Sequence, residues 1–319
     1  MSNGAASAAH ARVACVFPGQ GSQRVGMGRD LAEQFAVARD AFAEASDCLG
    51  MRLDQLCFAG PDERLRETEN CQPAILTTSV ATFRALVEVT GLVPSAVAGH
   101  SLGEWSALVV AGALSLGDAV RAVRERGRLM QAAVPVGTGA MAAVMGLEAS
   151  EVAALCAESA GNEILTPANL NGGGQVVVAG HAAAVERLIA KLRERKVRAQ
   201  WLAVSAPFHC ALMAPAREAL ARYLAGVNIA TPGLPVFTSV EARRVRNAAD
   251  VRDLLARQVT TPVRWEETVR ALVQDGVAAV VEVGPGRALT GLVKRIAPTL
   301  RTSSVGDAAA VKQAKDAWT

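Results

Sequence analysis

Residues 96–104 read Ala96-Val97-Ala98-Gly99-His100-Ser101-Leu102-Gly103-Glu104. The first four form a short apolar run of the kind found in a fully buried strand. The residues behind Ser101 lead into a helical stretch through Val110. Gly99 to Gly103 is therefore a G-x-S-x-G sequence at a strand-to-helix junction, the context in which that pattern carries meaning. Its glycines permit a sharp turn that projects the serine hydroxyl. The serine then sits at a helix N-terminus, where unpaired N–H groups favour a developing negative oxygen. A tight turn with a satisfied serine is the structural alternative.

Outward from this junction, residues 11–17 form another apolar strand, stopped by Pro18-Gly19-Gln20-Gly21-Ser22-Gln23. Helical patterns are expected over 30–48, 71–89 and 116–131. The rhythm then changes. Residues 140–145 read as strand, 150–159 as helix, 164–169 and 175–179 as strands, 182–195 as helix and 198–204 as strand. That β-α-β-β-α-β order is ferredoxin-like. Gly172-Gly173-Gly174 fits a hairpin loop inside it. Afterwards helices near 213–224, 249–258 and 262–275 alternate with strands near 234–238 and 277–283. The alternation predicts a mostly parallel, helix-covered sheet carrying a small inserted unit.

Composition narrows the function. The chain has 319 residues, 51% hydrophobic and 20% charged, with 33 Lys+Arg against 30 Asp+Glu. That near balance argues against a basic nucleic-acid arm and against a polybasic membrane anchor. With 7 Phe, 4 Trp and 1 Tyr, base-stacking platforms are not expected. The six cysteines form no CxxC pair and no His/Cys cluster with zinc spacing, so reduced thiols and no metal are expected. Residues 1–12 lack the apolar centre of a secretory signal and read as a flexible lead-in. Every long charge-free stretch contains Pro or Gly, and none reads as a bilayer-spanning helix. A soluble, cytoplasmic protein is the expectation. Gly19-Gln20-Gly21 and Gly284-Pro285-Gly286 both fail to complete a dinucleotide fingerprint, having Arg24 and Leu289 where glycine is needed.

A nucleophilic serine needs a base. Of four histidines, His10 lies in the terminal stretch, and His100 is inside the turn, where its side chain should diverge from that of Ser101. His181 opens a helix, a capping or surface position. His209, in a turn-rich segment where the chain leaves the inserted unit, remains as the candidate base, with a structural role as the alternative. Arg126 falls on the face of its helix that carries Ala119, Ala122, Val123, Leu129 and Met130. A buried guanidinium needs an anion. That anion could be an acidic side chain of the protein or a substrate carboxylate held by a two-pronged clamp.

With serine, histidine and arginine together, the chain resembles the malonyl-CoA:acyl carrier protein transacylases of fatty-acid synthesis. The resemblance runs from about residue 12 to 301. It rests on Phe17-Pro18-Gly19-Gln20-Gly21-Ser22-Gln23, Gly99-His100-Ser101-Leu102-Gly103-Glu104, Arg126-Gly127-Arg128-Leu129-Met130-Gln131 and Pro167-Ala168-Asn169. Pro207-Phe208-His209-Cys210, Gln258 with Pro262-Val263-Arg264-Trp265, and Val283-Gly284-Pro285-Gly286 complete it. The resemblance implies an α/β fold with an α/β-hydrolase-like large domain, 1–136 and 206–319, and a ferredoxin-like small subdomain, 137–205.

It also implies roles. Ser101 would accept the malonyl group as an ester, and His209 would be its base, oriented by the backbone carbonyl of Gln258. Arg126 would hold the malonyl carboxylate. The N–H groups of Gln20 and Leu102 would form the oxyanion hole. Phe208, before the histidine, would crowd a branch methyl and favour malonyl over methylmalonyl; ordinary packing is the alternative. Malonyl-CoA would be the substrate, with no permanently bound cofactor. The partner would be an acidic, phosphopantetheinylated acyl carrier protein, and the enzyme a monomer. Lys294 and Arg295 would dock the carrier, while Lys191, Arg193, Arg195, Lys196 and Arg198 form a second basic cluster that also fits a solvated face. The competing functions are a discrete malonyltransferase serving a polyketide synthase and an acyl-thioester hydrolase.

Overall fold

The computed structural model describes residues 12–316. The expected lead-in through Ala11, with His10, lies outside them. Among the described residues nine strands run β1 (Val13–Phe17), β2 (Ala96–Gly99), β3 (Gly139–Met145), β4 (Leu165–Gly172), β5 (Gln175–His181), β6 (Arg198–Trp201), β7 (Val236–Phe237), β8 (Ala279–Val283) and β9 (Arg301–Val305). They form a five-stranded sheet, β7-β2-β1-β8-β9, and a four-stranded sheet, β4-β5-β3-β6. Every pairing of the first is parallel; every pairing of the second is antiparallel.

Helices cover both faces of the parallel sheet, so β1, β2 and β8 are buried along their whole length. This is why they read as unbroken apolar runs. Cys15, Phe17 and Val97 point into one core, packed under helices Thr68–Thr90 and Leu116–Ala132. Ala14, Val16, Ala96 and Ala98 point into the other, with Trp265, Val269, Leu292 and Val293 from helices Trp265–Gln274 and Ala288–Ile296. The start of the latter helix is secured by Glu282 of β8. Its carboxylate accepts from the N–H groups of Leu289, at 3.2 Å, and Thr290, at 2.7 Å.

The small sheet has the ferredoxin-like order. Helices Ala149–Ala160 and Ala182–Glu194 bury Val144, Val176 and Val178 on one face. The opposite face turns Met141, Ala143, Val177 and Ala179 toward the larger core. The fold is thus the expected mixed α/β arrangement, a parallel sheet with a small antiparallel one inserted.

Several elements differ from expectation. The helix expected over 30–48 is two, Arg29–Gln34 and Ala36–Leu49, separated by an extended Phe35 at φ −126°. Neither Gly nor Pro marks that break; Phe35 is turned inward by packing and is 7% exposed. Helices Leu53–Ala59 and Asp62–Arg66 were not anticipated, being too short to show a period. β6 ends at Trp201, short of 204, because residues 202–205 leave the sheet to border a cavity. β9 was also not anticipated: Arg301-Thr302-Ser303-Ser304 is polar because β9 is an edge strand.

Candidate active site

The carboxyl ends of adjacent parallel strands are where ligands of open α/β sheets gather. β1 ends just before Gln20 and β2 just before Ser101, and both residues border a cavity of about 1150 Å³. Met141, Val177 and Leu202 of the small unit line it from the other side.

Ser101 sits at φ 50°, the sharp turn foreseen for a G-x-S-x-G junction. The two glycines serve close approach. A Cβ on Gly99 would stand 1.8 Å from the Gly103 carbonyl carbon, and one on Gly103 would stand 2.0 Å from the Phe17 oxygen. The turn can therefore fold back on β1 only with hydrogen at both positions.

Ser101 Oγ lies 2.8 Å from His209 Nε2. His209 Nδ1 lies 2.8 Å from the Gln258 carbonyl oxygen. A carbonyl only accepts, so Nδ1 carries the ring proton and Nε2 is left to accept from the serine hydroxyl. His209 is itself at φ 63°, and its N–H donates to the Val259 carbonyl at 3.1 Å. Burial, helped by the nearby Arg126 charge, pushes the imidazole down to about 3. It stays neutral through the physiological range, in contrast to the ordinary value near 6.5.

Arg126 is 2% exposed. Its Nη1 donates to Gln72 Oε1 at 2.7 Å, and its Nη2 to Gln258 Oε1 at 2.9 Å and Ser101 Oγ at 3.2 Å. These acceptors are two amides and a hydroxyl, none of them an anion. Its Nε has no partner among the described residues. Burial pushes the guanidinium down to about 10, opposed by the negative charge of Glu104. Of the apolar face expected around it, Ala119, Ala122, Val123 and Met130 are buried, whereas Leu129 is only half-buried.

The other candidates fall as follows. Leu102, Gln20 and Phe208 border the cavity, and neither the Gln20 nor the Leu102 N–H donates to a protein acceptor among the described residues. His100 diverges from Ser101 as expected; its Nε2 meets Asn171 Oδ1 at 2.8 Å and its ring packs beside Trp265. His181 stands at the N-cap position of helix Ala182–Glu194, as expected, but makes no side-chain cap bond; its Nδ1 accepts from the Ile164 N–H at 2.9 Å. Lys294 and Arg295 are exposed in the last turn of their helix and do not border the cavity. Arg295 packs on the Gly173 hairpin. Of the second basic cluster, Lys191 pairs with Glu158 and Arg195 with Glu151.

Sequence reasoning missed the groups that hold the arginine: Gln72, the side chain of Gln258, and Glu104 behind it. Glu104 had a signal, since it is the lone charge in the apolar run 102–110. Gln72 and Gln258 had none. Arg66 and Arg128 at the cavity were also missed; each is paired with an acid one turn away, Asp62 and Glu125.

The chain is similar to known proteins in sequence and fold. A family model described as an acyl transferase domain matches residues 14–315. The malonyl CoA-acyl carrier protein transacylase of Salmonella typhimurium is 47% identical over 302 residues, covering 94% of this chain and 98% of that relative. The crystal structure of an acyl-carrier-protein S-malonyltransferase from Burkholderia pseudomallei superposes with a TM-score of 0.93 at 44% identity, covering 95% of this chain and 99% of that one. A malonyl-transacylase solved in complex with a type II PKS acyl-carrier protein gives 0.93 at 47% identity, covering 96% and 99%. With its serine turn, its histidine and its buried arginine set on this fold, the chain belongs to the acyl transferase domain family, among the malonyl CoA-acyl carrier protein transacylases.

Proposed function

We propose that the protein transfers the malonyl group from malonyl-CoA to the phosphopantetheine thiol of an acyl carrier protein through a malonyl-serine intermediate, supplying fatty-acid synthesis. The observation that carries this reading is Arg126, a buried guanidinium beside the Ser101 hydroxyl whose protein partners are all neutral. Glu104 acts on it only through the Gln258 amide, so a carboxylate delivered with the acyl group supplies the anion in direct contact, and it does so only when the acyl carbon stands next to Ser101.

The steps follow. His209 Nε2 takes the Ser101 proton as Oγ attacks the thioester carbonyl. The N–H groups of Gln20 and Leu102 receive the oxyanion. Collapse breaks the C–S bond, and the imidazolium returns its proton to the leaving CoA sulfur. The carrier thiol then repeats the attack on the ester, giving up its proton to His209, and Ser101 recovers its hydroxyl. Only serine and histidine chemistry is used, and no permanently bound cofactor enters. Phe208 crowds the acyl α-carbon and favours malonyl over methylmalonyl. Lys294 and Arg295 dock the acidic carrier; neither forms an ion pair among the described residues, unlike Lys191 and Arg195.

We further propose that 137–205 is a small subdomain between the halves of a large one, 1–136 and 206–319. The two sheets support that division, the antiparallel one spanning Gly139–Trp201. A monomer acting in the cytoplasm, with no nucleic-acid or membrane partner, fits the near-balanced charge. None of the described helices is long and apolar enough to cross a membrane. Service to a polyketide synthase is the second reading, favoured by the relative solved with a type II PKS carrier. An acyl-thioester hydrolase fits less well, since Arg126 selects the acyl group and not its acceptor.

Incubation with labelled malonyl-CoA tests the reading. Label should appear on the enzyme and pass to added holo-carrier, fatty-acid or polyketide type by preference. Loss of label to water at one rate with or without carrier would establish the hydrolase instead.

A further inference from the structure

Gln258 stands between two groups with opposite demands. Its Oε1 accepts from Arg126, and its Nε2 donates to Glu104 Oε2 at 2.8 Å. A guanidinium only donates and a carboxylate only accepts, so these two neighbours fix which end of the amide faces which way. Glu104 lies in the first turn of helix Gly103–Val110 and is 1% exposed. Its Oε2 also accepts from the Ser239 N–H at 3.0 Å and from Ser239 Oγ at 2.6 Å. Three donors thus converge on one buried oxygen. No step of the acyl transfer uses this carboxylate.

We propose that Glu104 is a positioning residue: through the Gln258 side-chain amide it keeps the Arg126 guanidinium aimed at the space over Ser101, and so sets the preference for acyl groups that end in a carboxylate. This rests on the reading of Arg126 as the carboxylate holder.

The reason is the asymmetry of the amide. Without an acceptor at position 104, the Gln258 NH₂ loses its shortest bond and keeps only the two at 3.2 Å, to the Ser101 carbonyl and Ser239 Oγ, so the amide is less firmly held against turning its NH₂ toward Arg126 and setting donor against donor. The guanidinium then keeps Gln72 as its one amide anchor among the described residues, and its Nε has no partner among them to compensate. A displacement of about 1 Å in a positioning group costs up to about 10²-fold in rate. The Gln258 main-chain carbonyl, which serves His209, is separate from this chain of contacts. The side-chain amide can therefore be removed while that carbonyl remains.

The test measures kcat/KM for self-acylation by malonyl-CoA and by acetyl-CoA, with melting temperatures, in Glu104→Leu, Glu104→Gln, Gln258→Leu, the Glu104→Leu/Gln258→Leu double variant and Arg126→Ala. Glu104→Leu and Gln258→Leu should each lower the malonyl-to-acetyl ratio by about tenfold or more. The double variant should lower it no further than Gln258→Leu alone, because both act through one amide. Glu104→Gln should stay within about threefold of the unaltered enzyme. Its carbonyl oxygen can stand where Oε2 does and keep the three donors, and the Thr238 hydroxyl, bonded to the Glu104 carboxylate, can take its N–H. If Glu104→Leu fails to fold, Glu104→Asp replaces it; its shorter carboxylate keeps the charge but withdraws from Gln258, and the ratio should still fall. Equal losses for both acyl groups, or additive losses in the double variant, overturn the proposal. Arg126→Ala separates the two readings. If it leaves the ratio unchanged, the carboxylate reading itself is wrong. If it shifts the ratio while Glu104→Leu and Gln258→Leu do not, only the positioning role is lost.

Discussion

Ser101 and His209 meet at 2.8 Å with both backbones in the left-handed region, at φ 50° and φ 63°. A non-glycine residue there costs about 1–2 kcal/mol. At Ser101 the conformation is enforced by the close packing of Gly99 and Gly103. At His209 it is held by the bonds to Val259 and Gln258. Of the four described non-glycine residues in this region, Lys196 and Ala242 being the others, two are those read as nucleophile and base, and strain of this kind clusters at functional sites. Ser101→Ala should keep the fold and abolish the malonyl-enzyme, with a loss on the order of 10⁴–10⁶ in rate. Mass spectrometry after malonyl-CoA treatment should place the added mass on the Ser101 peptide of the unaltered protein. Mass on Cys210 would overturn the assignment. That thiol is a poor competitor, being pushed up to about 11 by burial.

The pH profile of acylation follows from His209. An imidazole with the ordinary value near 6.5 would make the rate climb between pH 6 and 8 as its proton is lost. Here burial and Arg126 hold it neutral down to about 3. A lowered value means the base form is already complete above pH 5, so the rate of malonyl-enzyme formation should be flat from pH 6 to 8 and fall only in acid. His209→Ala should slow that step by about 10²–10⁴-fold at every pH in the window. An inflection near 6.5 in the unaltered enzyme would show that His209 is more solvated than its surroundings indicate.

How much of this was legible beforehand depends on the kind of signal. The serine turn was readable because strand, glycines and helix are contiguous in sequence. The small unit was readable because its strand and helix periods alternate over some sixty residues. The break at Phe35 was not, since tertiary packing overrides local propensity there. β9 was not, because an edge strand facing solvent has no apolar period to detect. Within the site, Arg126 was visible as a charge on an apolar helical face. The amides that hold it were not: Gln72 and Gln258 lie 54 and 132 residues from it and look like ordinary polar side chains. Only the fold brings them together. Glu104, inside the motif itself, shows that a recognised sequence can still hide the purpose of one of its members.

Two substitutions test acyl choice. Arg126→Ala should lower malonyl transfer severely, because the carboxylate loses its charged partner. Acetyl transfer, with no carboxylate to pair, should fall less or rise. Equal losses would mark Arg126 as structural. Phe208→Ser should raise methylmalonyl transfer relative to malonyl by opening space at the cavity wall that Phe208 forms. Competition between the two CoA esters in one tube reads that ratio directly, and an unchanged ratio removes the crowding argument.

Carrier docking is the last test. Lys294 and Arg295 stand exposed at the C-terminal turn of helix Ala288–Ile296, and Arg295 reaches the Gly173 hairpin of the small sheet. The pair therefore sits where the two sheets adjoin, outside the cavity, on a helix whose first turn is fixed by Glu282. Exposed charges of this kind steer an oppositely charged partner and add little to stability. Lys294→Glu with Arg295→Glu should raise KM for an acidic carrier several-fold and flatten its dependence on salt, because the screened attraction is gone. Self-acylation from malonyl-CoA should be nearly unchanged, since that half-reaction never meets the carrier. Stopped-flow acylation and steady-state transfer, measured on one preparation, separate the two. If both fall together, the pair supports the helix or the CoA approach, and the carrier must dock elsewhere, with the cluster around Arg193, Lys196 and Arg198 the next surface to reverse.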